Sequence, residues 1–191
     1  GTDVAKESSD LVLLENGLGV IILTIKTGRK IVANLQKIVA YLFSTSFSEI
    51  FLIGGAFLIG GPLPLLPAQI LWINIIEESF MNFAFAFEPE EPDIMRRDPK
   101  ALVREGVLTR PTKTLILLIA TITGALLVAF YAVLLQLELS EEKLRTMMFI
   151  AVAVDSIFFS FSFKNFKMPL WRINLFSNKY LVVAMLSSLL L

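Results

Sequence analysis

Four carboxylates lie inside long apolar stretches of this sequence, namely Glu49, Glu77, Glu78 and Asp155. A charge at the centre of a bilayer costs roughly 2.5–3.5 kcal/mol on membrane-insertion scales, so an acidic residue in such a place usually has a partner or a task. Carboxylate oxygens are ligands that hard cations prefer in proteins. The four residues are therefore the first candidates for binding a cation.

Neutral side chains that carry oxygen accompany these carboxylates at helical spacing. Asn74 precedes Glu77 by three residues and Glu78 by four. Ser46 precedes Glu49 by three residues. Side chains three or four residues apart share one face of a helix, so each group can direct several oxygens at one ion. The candidate ligand set is Ser46, Glu49, Asn74, Glu77, Glu78, Asp155 and Ser156.

The composition narrows the chemistry further. The sequence contains no cysteine and no histidine, which excludes disulfides, thiolate chemistry and the usual soft metal ligands. A bound cation must therefore be held by oxygen. The formal net charge is zero, so no overall basic field favours nucleic acid, and no nucleic-acid partner is expected.

The elements that must carry these residues are long and apolar. Hydrophobic residues make up 55% of the 191 residues, and the mean hydropathy is +0.73. A membrane-spanning helix needs about 20 predominantly apolar residues. The sequence predicts an all-α membrane protein, a polytopic transmembrane helix bundle in the lipid bilayer, with about five spans of which the last is truncated. The predicted spans are 38–59, 68–87, 114–137, 146–163 and 180–191.

Charged residues between the spans alternate in kind, which predicts the orientation. Four basic residues lie in 26–37, and 60–64 carries no charge. Six basic residues lie in 96–113, the segment 138–145 is mostly acidic, and four basic residues lie in 164–179. Cytoplasmic connections carry the excess of lysine and arginine. The N-terminal segment is therefore expected in the cytoplasm, in a multi-pass integral membrane protein.

Three further segments have recognisable patterns. Residues 10–14 read Asp-Leu-Val-Leu-Leu, an apolar run typical of a short strand. In 20–37, apolar and basic residues mix at helical spacing, and only Gly28 interrupts the pattern. One long helix is therefore expected to continue from the cytoplasm into the first span. The charge cluster at 88–98 is most simply a solvated loop.

Four ordered motifs occur along the chain: GTDVAKESSD at 1–10, PLPLLPAQILWIN at 62–74, FEPEEPDIMRRDP at 87–99 and LFSNK at 175–179. Together they resemble P-type ATPases of the calcium, sodium and related cation class, nearly from end to end. The first is similar to the stretch that closes the phosphorylation domain of this family. The second and third are similar to the start of its sixth membrane helix and to the cytoplasmic loop after that helix. In the family this loop contacts the phosphorylation domain, so the resemblance implies a coupling role as the alternative to a solvated loop at 88–98.

The resemblance implies an ATP-driven pump, usually with ten membrane helices, of which this chain supplies the fifth to the eighth and the start of the ninth. It divides the chain into the C-terminal end of a HAD-like phosphorylation domain (1–19), a cytoplasmic stalk helix (20–37) and a transmembrane domain (38–191). The actuator, nucleotide-binding and remaining phosphorylation domains, with the sites for ATP and Mg²⁺, are expected upstream. The family's DKTG and GDGxND motifs are absent, so this stretch by itself is not expected to hydrolyse ATP.

The resemblance also assigns ligands for the transported cation. Glu49 falls at the family's acidic ligand in the fifth helix, Asn74 at its asparagine ligand in the sixth, and Glu78 at its acidic ligand there. In an ungapped reading, the polar ligand of the eighth helix falls on Ser156, with Asp155 one place earlier. A shift by one residue would exchange these two.

Departures from the family pattern leave the identity of the transported ion open. Calcium pumps usually have Asn where this chain has Ser46, and Thr-Asp-Gly where it has Glu77-Glu78-Ser79. The sixth helix is usually unwound beside its ligands, and the loss of that Gly, and of a Pro replaced by Met81, makes unwinding harder to expect here. A divalent, calcium-like cation is predicted, with proton counter-transport or another cation as alternatives.

Two other classes of protein stay open. Polar residues inside membrane helices also serve passive channels and secondary transporters. A non-catalytic pseudo-pump is the other alternative. The N-terminal segment 1–14 favours the pump, because a channel has no need for the tail of a phosphorylation domain.

Overall fold

Helices account for the regular secondary structure of the described residues. A computed structural model of the chain describes residues 3–10, 12, 17–96, 98, 106–166 and 172–190, without the side chains at 5, 18 and 77. The helices are α1 (Asp3–Glu7), α2 (Leu18–Ile59), α3 (Pro67–Trp72), a π-helical segment (Ile73–Glu77), α4 (Glu78–Ala86), α5 (Arg110–Gln136), α6 (Glu141–Ser160) and α7 (Lys179–Leu190). Short 3-10 turns lie at Ile94–Arg96, Phe161–Phe163 and Leu175–Ser177.

Three helical segments in the described part of the chain are long and apolar enough to cross a membrane. They are Gly19–Ile59, Arg110–Gln136 and Glu141–Phe163, whereas α7 is apolar but shorter. Large apolar side chains cover much of the outer surface, for example Phe57 and Leu58, and such a surface marks contact with lipid or with other protein. The prediction of an all-α membrane helix bundle is confirmed. The number of spans stays a prediction, because the second predicted span is divided among α3, the π-helical segment and α4.

The longest helix, α2, confirms that the N-terminal basic segment continues into the first apolar stretch as one helix. Its 42 residues run from Leu18 to Ile59 without a break at Gly28. At about 1.5 Å per residue it is about 63 Å long, roughly twice the thickness of the hydrocarbon core of a bilayer. It ends at Gly60, whose φ of 78° is the left-handed conformation that closes many helices. A large part of α2 must therefore extend beyond the hydrocarbon core.

Two apolar clusters pack along α2. In one cluster the ring of Tyr41 contacts Phe85 of α4 and Phe163, with ring centroids 5.6 and 5.8 Å apart. The other cluster surrounds Tyr131 of α5, whose hydroxyl donates a 2.6 Å hydrogen bond to the carbonyl of Pro62. This bond holds the connection between α2 and α3 against α5. The two clusters thus join α2 to α3–α7 through shared apolar packing.

Small residues bring α2 and α5 close together. A Cβ atom added to Gly124 would lie 2.5 Å from the Cβ of Phe51, and one added to Gly55 would lie 2.5 Å from a methyl group of Val128. Both positions therefore require glycine for the present helix separation. Small residues at helix interfaces serve this purpose in membrane proteins generally.

The N-terminal segment is described only in part. A short helix, α1, precedes α2. The predicted strand at 10–14 lies mostly outside the described residues, because positions 11, 13 and 14 are not among them. The division of the chain at 19 and 37, and the cytoplasmic side of the N-terminal segment, remain predictions.

The prediction of a solvated loop at 88–98 is wrong for two of its acids. Glu88 and Glu91 are buried and lie beside the equally buried lysines Lys37 and Lys164. Glu90 between them is exposed, as expected. A charge cluster in a sequence does not reveal which members face the bundle, because that depends on where distant lysines are placed by the fold.

Candidate cation site

Asn74 of the π-helical segment donates hydrogen bonds to Glu49 of α2. Its Nδ2 donates to both carboxylate oxygens of Glu49, at 3.4 Å to Oε1 and 3.2 Å to Oε2, and to the carbonyl of Ile70 at 2.9 Å. Glu49 is only 6% exposed. All three bonds use Nδ2, so none of them engages the amide oxygen of Asn74. Glu49 and Asn74, which the resemblance assigns as ligands in the fifth and sixth helices, therefore meet between α2 and the π-helical segment.

The helix that carries Asn74 changes its winding at this point. Ile73–Glu77 is π-helical, and the backbone N–H of Glu78 donates to the carbonyl of Ile73, five residues earlier. Such π-helical turns occur frequently at functional sites. The absence of the family's Gly and Pro made an irregular helix harder to expect beside the ligands. The helix is nevertheless irregular there, because it contains this π-helical turn. Glu78 begins α4 directly after it and is 1% exposed.

A second polar neighbourhood lies on an adjacent face of α2. It surrounds a cavity of about 10 Å³, close to the space that one water molecule or one small ion needs. Consecutive residues of an α-helix point about 100° apart, so Ser48 and Glu49 face different neighbours. The polar lining consists of Ser44, Thr45 and Ser48 of α2, Thr123 of α5, and Asp155 and Ser156 of α6.

Hydrogen bonds orient several hydroxyl groups of this cavity. Thr45, Ser48 and Ser156 each donate to a backbone carbonyl three or four residues earlier in their own helix, at distances between 2.8 and 3.2 Å. A hydroxyl has one hydrogen and two lone pairs, so a hydroxyl that donates to the backbone presents its oxygen as an acceptor. Together with the carboxylate of Asp155, these oxygens favour a cation or the hydrogens of a water molecule.

Within the described part of the chain, Glu49 and Asp155 take part in none of the salt bridges, which lie elsewhere. In the same described part, no three side chains of Asp, Glu, Cys or His lie close enough to hold a metal ion by themselves. A cation here would need amide, hydroxyl or backbone oxygens beside the carboxylates, as hard cations readily accept.

Some predicted residues are not joined to either neighbourhood. Ser46 lies half-buried on α2 but does not line the cavity, and the side chain of Glu77 lies outside what the structure describes. Thr123 was not predicted. Its signal in the sequence is a hydroxyl in the middle of an apolar span, but Thr121 carries the same signal and is exposed. Only the packing of α5 distinguishes the two.

Comparison with known proteins covers the helices that carry these residues. The family described as "Cation transporting ATPase, C-terminus" matches residues 62–191. The calcium-transporting ATPase of Bacillus subtilis is 33% identical over 192 residues, and calcium-transporting ATPase 1 of Bacillus cereus is 31% identical over 209 residues. Calcium-transporting ATPase type 2C member 2 of Rattus norvegicus is 29% identical over 191 residues. All three alignments cover 100% of this chain.

The chain spans a small part of the length of these relatives. It covers 21% of the Bacillus subtilis protein, 23% of the Bacillus cereus protein and 20% of the rat protein. Because the alignments include the whole chain, they include every candidate ligand from Ser46 to Ser156.

Proposed function

Since the chain belongs to the family of cation-transporting P-type ATPases, we propose that it forms the ion-binding part of the membrane domain of an ATP-driven cation pump. In the whole protein this pump is an ion-translocating ATP hydrolase. ATP and Mg²⁺ bind to the nucleotide-binding and phosphorylation domains, outside this chain. The chain contributes the end of the phosphorylation domain (1–19), the stalk helix (20–37) and the membrane helices that follow.

The observation that carries the proposal is the bond between Asn74 and Glu49, beside the π-helical turn and the buried Glu78. Glu49 is held by a neutral amide, so its negative charge is available to a cation. A small rotation of the Asn74 side chain would turn its amide oxygen toward the ion. Glu49, Asn74 and Glu78 are the principal ligands. Ser46, Glu77, Asp155 and Ser156 are assigned as additional ligands.

The transported ion in this proposal is a divalent cation of the calcium type. Relatives named as calcium-transporting ATPases support that assignment. The chemistry of the site agrees with it, because carboxylate, amide and hydroxyl oxygens form the kind of mixed ligand set that Ca²⁺ accepts. Carboxylates left behind by the cation would take up protons, since a buried negative charge is costly, and this would couple cation transport to proton counter-transport.

The mechanism uses α2 as a lever. Phosphorylation upstream moves the cytoplasmic part of α2, and the continuous helix carries this movement to Glu49, which lies ten residues before its end. A shift of Glu49 breaks its bonds to Asn74 and changes the set of oxygens that face the ion. The site then opens to the opposite side of the membrane.

The test is ATPase activity of the full-length protein, measured with calcium, manganese, magnesium, sodium and potassium, and then in Glu49→Gln and Glu78→Gln variants. Hydrogen bonds to charged groups contribute about 1.5–3 kcal/mol, so each variant should need about 10- to 100-fold more of the activating cation. Glu142→Gln is the matched control, because Glu142 is exposed in the first turn of α6. Wild-type activation in both Gln variants, or no activation of the parent by any of these cations, would contradict the proposal.

A further inference from the structure

A second set of buried charges lies at the far end of α4 from the candidate cation site. Lys164 Nζ lies 3.0 Å from Glu88 Oε1, and Lys37 Nζ lies 3.4 Å from Glu91 Oε1. Each of the two lysine side chains is 1% exposed. We refer to Lys37, Glu88, Glu91 and Lys164 as the buried charge network.

The network is electrically balanced and its members act on one another. Lys37 interacts electrostatically with Glu88 and Lys164 as well as with Glu91. Two positive and two negative charges therefore share one enclosed region. Buried charges are tolerated when each has a partner, and removing one partner leaves the other uncompensated in a region of low dielectric. The network is thus sensitive to any movement that separates its pairs.

Two asparagines fix the end of α4 beside this network. Asn34 Nδ2 donates to the carbonyls of Ala86 (3.1 Å) and Glu88 (3.0 Å). Asn178 Nδ2 donates to the carbonyl of Ala84 (2.8 Å) and to Glu88 Oε2 (2.7 Å). The last carbonyls of a helix lack partners within the helix and must be satisfied from outside. Here Asn34 of α2 is one such partner, and Asn178, the residue before α7, is the other.

The same short helix connects the network to the candidate cation site. α4 has nine residues and begins at Glu78. At about 1.5 Å per residue, its two ends are about 12 Å apart. So short a helix moves as one body, and a displacement of its C-terminal end also displaces Glu78.

We propose that the buried charge network positions Glu78, by fixing the end of α4 to α2, to Lys164 after α6 and to α7. Movement of α2 reaches Glu78 through Lys37 and the loop that carries Glu91, in addition to the hydrogen bonds between Glu49 and Asn74. Lys37, Glu88, Glu91 and Lys164 are positioning residues that do not touch the ion. This positioning role rests on the proposed function, whereas the existence of the network does not.

The experiment is a double-mutant cycle in the full-length protein, with Glu88→Gln, Lys164→Met and the double variant. Glutamine keeps one oxygen that can accept from Asn178, and its NH2 group replaces the oxygen that faces Lys164, so the charge and the pairing with Lys164 are lost together. Two quantities are measured for each protein: the midpoint of thermal inactivation in detergent, and the cation concentration that gives half-maximal ATPase activity. Glu90→Gln is the matched control, since Glu90 belongs to the same loop but forms an exposed pair with Lys26.

Each single variant should lower the thermal midpoint, and the double variant should recover most of the loss, because it leaves no uncompensated charge. The stable double variant should still need about fivefold more cation, the lower end of typical coupling between sites, with little change in maximal rate. A purely structural role would give this variant the wild-type cation requirement. Glu90→Gln should match the wild type in both measurements.

Two results would overturn the proposal. Additive losses of thermal midpoint would show that Glu88 and Lys164 do not act as a pair. A stable double variant with the wild-type cation requirement would show that the pair does not position Glu78. If a single variant fails to fold, the double variant compared with wild type still decides the second point. Absence of cation-stimulated activity in the wild-type parent would count against the proposed function instead, and the thermal midpoints would still decide whether the network exists.

Discussion

Glu49 and Glu88 are both buried glutamates, 6% and 4% exposed, but their surroundings differ in charge. Glu88 faces the ammonium group of Lys164 and the amide of Asn178. Glu49 accepts only from the neutral amide of Asn74 in the described part of the chain, with no salt bridge there. A buried carboxylate beside a lysine is already neutralised and serves the structure. One beside an amide retains a net charge, which a cation or a proton can neutralise.

From this comparison of Glu49 with Glu88, we expect the largest loss of stability for a substitution in the buried charge network. Lys37→Met should destabilise the full-length protein by about 3–5 kcal/mol, the usual cost of removing one partner of a buried ion pair. Chemical denaturation of the purified protein in detergent measures this loss. Lys26→Met on the same helix is the control, since its pair with Glu90 is exposed and should contribute about 1 kcal/mol or less. Equal losses in the two variants would remove the distinction between the pairs.

At Glu49, by contrast, removal of the charge is not expected to destabilise the cation-free protein. Without cation, Glu49→Gln should leave stability unchanged or raise it, because the variant removes an uncompensated buried charge and keeps an acceptor for Asn74. A cation present at about 100 times its dissociation constant should stabilise the wild type by about 2.7 kcal/mol. The variant should lose most of that stabilisation. Unfolding measured with and without calcium tests both statements, and a destabilised cation-free variant would place Glu49 with Glu88, as an acid whose charge stabilises the fold.

A third prediction concerns the close approach of α2 and α5 at Gly124 and Phe51. Gly124→Ala should cost about 1–3 kcal/mol, because the added Cβ would lie 2.5 Å from the Cβ of Phe51 and force α5 away from α2. Gly54→Ala on α2 is the control, since nothing lies within 4 Å of its added Cβ. That control should be neutral or slightly stabilising in a helix. Thermal unfolding of both variants decides whether close approach of these helices is required.

The class of fold could be predicted from the sequence, and candidate ligands could be named from it, because both depend on local patterns. Apolar runs of spanning length predict membrane helices, and a carboxylate inside such a run is conspicuous. The continuous α2 followed from the lack of a strong helix breaker between its basic and apolar parts. Glu49 and Asn74 were expected at one site, and the structure joins them by hydrogen bonds.

The remaining features depend on contacts between distant parts of the chain. Lys37 and Lys164 were counted only as basic residues that set orientation, and nothing in their own segments shows that each meets a glutamate of the loop after α4. The π-helical turn was harder to expect because its sequence, INIIE, contains neither Gly nor Pro. The helix propensity of these five residues does not account for the turn.

The smallest expected effect is a change in the activating cation concentration caused by Thr123→Val. It tests whether the ion also occupies the cavity beside Asp155 or only the site of Glu49 and Asn74. Thr123→Val removes one hydroxyl from the cavity beside Asp155 without changing the shape of the side chain greatly. If a cation occupies that cavity during transport, the lost oxygen should cost about 1 kcal/mol, or roughly fivefold in the activating cation concentration. Thr121→Val is the matched control, because Thr121 is exposed on the same helix and donates to its own backbone at 2.7 Å. An unchanged cation requirement in Thr123→Val would restrict the ion to the neighbourhood of Glu49, Asn74 and Glu78, because the cavity would then hold only water.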